Sequence, residues 1–186
     1  MMKIAIDPGH GMGNARRGVF DPGATAKAGA QSFAEADIVL GYAHALAKLC
    51  VKTRIEFFLT RSSSTEPAPV GGRAARAGAA GCTHFVSIHL NSSAKPRANG
   101  LEVLYRDEKK DRPLAAALQQ ALLKVTGFRD RGNDRRTDLA VLKFEQGPAA
   151  LIELGFISNK ADREFLLAEG NRDRVCRAIL QVFAGA

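Results

Sequence analysis

The stretch Ala149 to Gly155, Ala-Ala-Leu-Ile-Glu-Leu-Gly, constrains the fold of this chain more than any other. It has the length of a strand and is apolar on both faces apart from Glu153, so both of its faces need cover. A central strand of a layered sheet meets that need. Helical and strand patterns alternate along the rest of the sequence, with no internal repeat, low-complexity tract or long Pro/Ser linker, and this alternation predicts an α/β domain.

Lys3 to Asp7 reads as a first strand, closed by Pro8-Gly9, and Pro8 to about Ser32 as a loop holding six glycines. Loops of that length in compact domains are usually functional. From Ala34 to Cys50 the residues Ile38, Val39, Tyr42, Leu46 and Leu49 recur at helical spacing, with Glu35 in the opening turn. Arg54 to Thr60, His84 to Leu90, Gly100 to Tyr105 and Ala140 to Lys143 read as further strands, and the Ala-rich Arg73 to Ala80 as a short helix. Leu114, Ala117, Leu118, Ala121, Leu122 and Val125 form an apolar stripe between Pro113 and Gly127, residues suited to the start and the end of a helix. A last helix runs from about Arg172, capped by Asn171.

At roughly 150 residues per domain, a chain of 186 predicts one domain. The net charge of +8 is evenly spread: residues 1–93 hold 10 basic and 6 acidic side chains and residues 94–186 hold 17 and 13, so no charged tail exists. The longest apolar stretches fall short of the ~18 residues of a membrane span, which predicts no membrane insertion. The N-terminal residues show no secretory signal pattern, so the protein is expected to be made in the cytoplasm and to leave by another route, or to have had a signal removed. Cys50, Cys82 and Cys176 are too far apart for a zinc knuckle or redox pair and odd in number, which predicts buried free thiols. A basic nucleic-acid-binding module is disfavoured by 6% aromatic residues and no Trp, and Arg129 to Arg136 interleaves acids with its arginines as a solvated loop does.

Four histidines are present, and two stand out by position. His10 follows the first strand between glycines that let the backbone bend closely around whatever the imidazole touches. His89 ends the third strand, and ligand sites in open α/β sheets lie beyond the carboxyl ends of the strands. His44 falls in mid-helix and His84 at a strand start, ordinary places for non-ligand histidines. Glu153, inside an apolar strand, must be paired, bound to a metal or protonated, because burying a lone carboxylate costs several kcal/mol. Two histidines and a carboxylate on one rim are the makings of a catalytic zinc site. Asp7, Asp21, Glu35 and Asp37 all lie within reach as a third ligand, and spacing alone does not choose among them.

Five blocks carry a resemblance. Ile-Asp-Pro-Gly-His-Gly (6–11), Ala-Glu-Ala-Asp (34–37), Leu-Thr-Arg (59–61), Val-Ser-Ile-His-Leu-Asn (86–91) and Ala-Leu-Ile-Glu-Leu-Gly-Phe-Ile-Ser-Asn (150–159) resemble, in this order, the motifs of the zinc-dependent N-acetylmuramoyl-L-alanine amidases of the third amidase family. The resemblance covers nearly the whole chain. It implies one zinc ion held by His10, Glu35 and His89 with a water in the fourth position and Glu153 as catalytic acid/base; Asn91, two residues after His89, is a candidate donor to substrate. It also implies a twisted, mostly parallel sheet of about six strands flanked by helices on both faces, as a single catalytic domain over residues 1–186 without a separate wall-binding domain. Gly11-Met12-Gly13 stands where the family often has Gly-Gly, and Leu90 where Ala is usual; these departures touch the pocket wall and no ligand.

Some regulated members carry an inserted helix that blocks the zinc. Only 63 residues lie between His89 and Glu153 here, most of them already assigned, so an open site is expected. The implied substrate is peptidoglycan or a muropeptide, cut by a monomer between N-acetylmuramic acid and L-alanine. Its compact form suits an endolysin-like enzyme of phage or prophage origin, with a bacterial wall amidase as the other setting. A zinc carboxypeptidase acting on wall peptides is the competing enzyme reading.

Overall fold

The last strand of the chain lies in the middle of its sheet. In the computed structural model, which describes residues 2–95 and 97–184, six strands pair in one sheet: β1 (Lys3–Pro8), β2 (Glu56–Leu59), β3 (His84–Asn91), β4 (Leu101–Tyr105), β5 (Asp130–Arg135) and β6 (Ala149–Phe156). Their spatial order is β2-β1-β3-β6-β4-β5. The first four of that order are parallel, β4 runs antiparallel to β6, and β5 runs parallel to β4. The expected mostly parallel, six-stranded sheet is therefore present, with its two reversed strands at one edge.

Five helices flank the sheet: α1 (Glu35–Thr53), α2 (Arg73–Ala79), α3 (Arg112–Thr126), α4 (Lys160–Leu167) and α5 (Glu169–Ala184). Strand periodicity divides their work. Ile4, Ile6, Val86, Ile88, Ala150, Ile152 and Leu154 point to one face and share a large core with α1, α3, α4 and α5. Ala5, Phe85, Leu104, Ala149 and Leu151 point to the other, covered by α2 and by Val141, Leu142 and Phe144. Helices do lie on both sides, but one layer is thick and the other thin.

Two strand assignments change. Ala140–Leu142 is a 3₁₀ turn, and the sixth strand is instead β5, in the stretch that reads as a solvated loop. Only one side of β5 pairs, with β4, and Asp130, Arg131, Asp134 and Arg135 are exposed. An edge strand with charged side chains carries no apolar alternation to betray it, and such charges discourage further pairing. The last helix starts earlier than expected, at Glu169, so Asn171 lies inside its first turn and donates to the Phe165 carbonyl at 3.2 Å. The cap of this kind belongs to α4, where the Asn159 side chain accepts from the amides of Ala161 and Asp162. The Gly-rich loop holds two small hairpins, Gly11–Met12 with Phe20–Asp21 and Thr25–Ala28 with Gln31–Ala34. All three cysteines are buried and free, and no described helix is long and apolar enough to cross a membrane.

Candidate functional site

The polar residues of the strands gather on the thin side of the sheet. Asp7, Ser87, His89, Glu153 and Glu102 alternate with the residues of the thick core and so share the thin face. Register sets three of them side by side, since His89 pairs with Glu153 and Glu153 with Glu102. His10 arrives from the loop after β1, and Glu35 is the first residue of α1. Ala34 at the head of that helix offers no side-chain cap. The amides of Glu35 and Ala36 donate instead to the carbonyls of Ala24 and Pro22, which ties the helix start to the loop that carries His10.

Glu35 joins the two histidines. Its Oε2 lies 3.1 Å from His10 Nε2 and its Oε1 2.9 Å from His89 Nδ1, and the two rings meet edge to face with centroids 5.0 Å apart. The carboxylate is 3% exposed and accepts two further bonds, from the amides of Ala24 and Leu90, each at 2.9 Å. Burial works against its ionisation, but the bonds and charges of His10 and His89 prevail and hold its pKa well below the usual carboxylate range. Burial likewise works against a charged His10, yet Glu35 and Asp21 prevail and push its pKa up to about 9. Asp21 Oδ2 takes the far nitrogen of His10, Nδ1, at 2.9 Å, so Nε2 is the nitrogen turned into the cluster.

Donor atoms of His10, Glu35 and His89 all lie within 4.8 Å of one another. Two imidazoles and one carboxylate are a donor set that catalytic zinc takes, and a carboxylate on the far nitrogen of a histidine is the usual orienting partner of such a ligand. The residues present therefore fit a zinc ion. Close backbone approach is what allows the arrangement. A Cβ at Gly9 would stand 2.2 Å from His89 Cε1, and one at Gly23 would stand 2.6 Å from both Glu35 Oε2 and His10 Cδ2.

Glu153 is half-buried, and its Oε2 is shut off from solvent without a hydrogen-bond partner among the described residues. Burial holds its pKa up at about 7. No arginine pairs with it among the described residues. Asn91 lies on the same strand as His89, but its side chain is engaged: Nδ2 donates to Glu102 Oε1 at 2.5 Å and Oδ1 accepts from the Ser92 amide at 2.8 Å.

The other candidates for a third ligand lie elsewhere. Asp7 is wholly buried and bound to Thr60, Arg73 and Ser87, Asp21 stands behind His10, and Asp37 is exposed on α1. His44 binds the Ser62 carbonyl and His84 lies against Thr83 and Phe183, both away from the cluster. Sequence reasoning missed Glu102 and Arg73, and gave no role to Arg61, which lies in the Leu-Thr-Arg block. The logic that singles out Glu153 applies equally to Glu102, a carboxylate in the apolar run Leu-Glu-Val-Leu-Tyr.

Comparison with known proteins agrees with this picture. The family described as N-acetylmuramoyl-L-alanine amidase matches residues 4–183. The N-acetylmuramoyl-L-alanine amidase CwlM of Mycobacterium tuberculosis is 29% identical over 185 residues, covering 96% of this chain and 43% of that protein. The chain spans about half the length of the curated relatives it matches. Among solved structures, the catalytic domain of CwlV, an N-acetylmuramoyl-L-alanine amidase from Bacillus (Paenibacillus) polymyxa var. colistinus, aligns over 100% of this chain and 97% of that one, with a TM-score of 0.87 and 27% identity. An N-acetylmuramoyl-L-alanine amidase from Clostridium difficile 630 aligns over 99% and 95%, with a TM-score of 0.86 and 29% identity. Shared from the first strand to the last helix in both sequence pattern and fold, these features mean that the chain belongs to the N-acetylmuramoyl-L-alanine amidase family.

Proposed function

We propose that this protein hydrolyses the amide joining the lactyl group of N-acetylmuramic acid to L-alanine of the peptidoglycan stem, with one zinc ion held by His10, Glu35 and His89. The observation that carries the reading is a His-Glu-His cluster one strand away from a carboxylate, Glu153, whose Oε2 is buried without a partner among the described residues. A bound zinc ion polarises a carbonyl and lowers the pKa of a water from near 16 towards ~7. Glu153 takes the proton of the attacking water. As the carbon–nitrogen bond breaks, the same carboxyl returns that proton to the departing amine, so one group serves as base and then acid. A pKa near neutrality suits both halves of that task. Asp21 fixes the His10 ring, the amides of Ala24 and Leu90 fix Glu35, and neither ligand has to reorganise during turnover. Asn91, held by Glu102 on the strand that carries His89, is the proposed donor to a substrate carbonyl.

The test is digestion of purified sacculi with and without a chelator, followed by mass analysis of the products. Stem peptides with a free L-alanine amine, lost on chelation and restored by zinc, are expected. Products trimmed at the other end of the stem would identify a carboxypeptidase instead, and chelator-resistant release would remove the zinc from the reading.

A further inference from the structure

Two arginines lie at the floor of the site, Arg61 fully buried and Arg73 1% exposed, with a single buried carboxylate, Asp7, between them. Asp7 binds Arg73, with Nη1 to Oδ1 at 3.0 Å, and Arg61 forms no ion pair among the described residues. A buried cation without an anion is costly unless its donors are otherwise engaged. Those of Arg61 go to backbone. Its Nε donates to the Pro8 carbonyl at 3.1 Å, and its Nη2 donates both to Gly9 at 2.7 Å and to Ala36 at 2.8 Å. One guanidinium thus ties the loop that carries His10 to the helical turn that starts with Glu35.

Arg73 holds His10 from two sides. Its Nη1 donates to the Pro8 carbonyl at 2.9 Å, and its Nη2 to the carbonyl of His10 itself at 2.6 Å. The same Nη2 donates to Asn14 Oδ1 at 2.9 Å, Asn14 Nδ2 donates to Asp21 Oδ2 at 2.6 Å, and Asp21 meets His10 Nδ1. Backbone and ring of His10 are therefore fixed by one side chain. His10 needs that support, because it sits at φ 59°, a left-handed conformation that few residues other than glycine adopt.

We infer that Arg61 and Arg73 are positioning residues for the metal centre: Arg61 sets the His10 loop against the Glu35 turn, and Arg73, through Asn14 and Asp21, sets the backbone and ring of His10. The inference rests on the zinc reading above. A lysine keeps the charge but puts one nitrogen where Arg61 has Nε on Pro8 and Nη2 on Gly9 and Ala36 in a fixed plane, so it cannot reproduce the whole set.

The test compares the full chain with Arg61→Lys, Asn14→Ala and, as a control in the thick core, Ile179→Val. Zinc affinity of the stripped proteins is read by competition with a chromophoric chelator, and the visible spectrum of the cobalt(II) forms reports coordination. Arg61→Lys and Asn14→Ala are expected to bind zinc about 10–100-fold more weakly, with a changed cobalt spectrum, while the control keeps both. Asn14 is half-buried, and its variant tests the Arg73 path; the Arg61 path is tested by Arg61→Lys or, if that does not fold, by Arg61→Gln under the same two readouts. Wild-type affinity and spectrum in the folded variants overturn the inference, as does equal weakening in the control. Failure of the wild-type chain itself to bind zinc overturns the zinc reading, and the inference with it.

Discussion

Glu35 and Glu153 are both carboxylates in a largely apolar setting, and their neighbours drive them in opposite directions. Two histidines and two backbone amides keep Glu35 ionised, whereas Glu153, whose buried Oε2 has no partner among the described residues, sits near pKa 7. Replacing Glu153 by Gln keeps the shape and removes the proposed proton acceptor. Release of stem peptides should fall by about 10²–10⁴-fold while bound zinc stays at one per chain; near-normal turnover would remove Glu153 from its assigned role. Gly9→Ala should act on the metal instead, because its methyl falls on the His89 ring, and metal analysis should find the zinc lost. His10, His89 and Glu153 were legible from their places at strand ends and within an apolar strand. Choosing Glu35 over Asp7, Asp21 and Asp37 was beyond spacing, since that choice depends on which carboxylate the fold turns inward. Arg73 carried no mark at all, and Arg61 only its place in the Leu-Thr-Arg block: a buried arginine that grips carbonyls and a solvated one look alike in sequence.

Elements with strong local chemistry were the readable ones. The stripe of α3 ends at Gly127, which takes the left-handed conformation at φ 64° and whose amide closes on the Leu123 carbonyl. β5 was unreadable for the opposite reason, because backbone pairing along one side holds it and its side chains face solvent. α4 lies between: only eight residues long, it depends on its cap. Asn159→Ala, which removes the acceptor for the amides of Ala161 and Asp162, should cost about 1 kcal/mol in urea unfolding. An unchanged midpoint would show that packing of Leu166 into the thick core suffices without the cap.

For the whole molecule, the buried Asp7–Arg73 pair gives stability a pH dependence of known sign. Burial opposes ionisation of Asp7, but Arg73, Ser87 and Thr60 prevail and lower its pKa below the ~3.9 of an unfolded aspartate. Its contribution is therefore present above about pH 4 and is lost as pH falls further through the lowered folded value. Urea midpoints of wild type and Asp7→Asn should differ most at pH 5–7 and converge towards pH 3; a constant gap would show that the charge of Asp7 does not matter. The +8 net charge, spread over both halves, amounts to a diffuse attraction for anionic material, screened beyond about 8 Å at physiological salt.

The place of β6 between β3 and β4 also sets a timetable for synthesis. A growing chain has all three proposed zinc ligands once His89 is made, but it lacks the strand that joins the two parts of its sheet, and the proposed proton acceptor on that strand, until residues 149–156 follow. The proposed hydrolysis therefore waits for β6, and a chain cut short before it would be left with two separate sheet halves whose inner edges, on β3 and β4, lie unpaired.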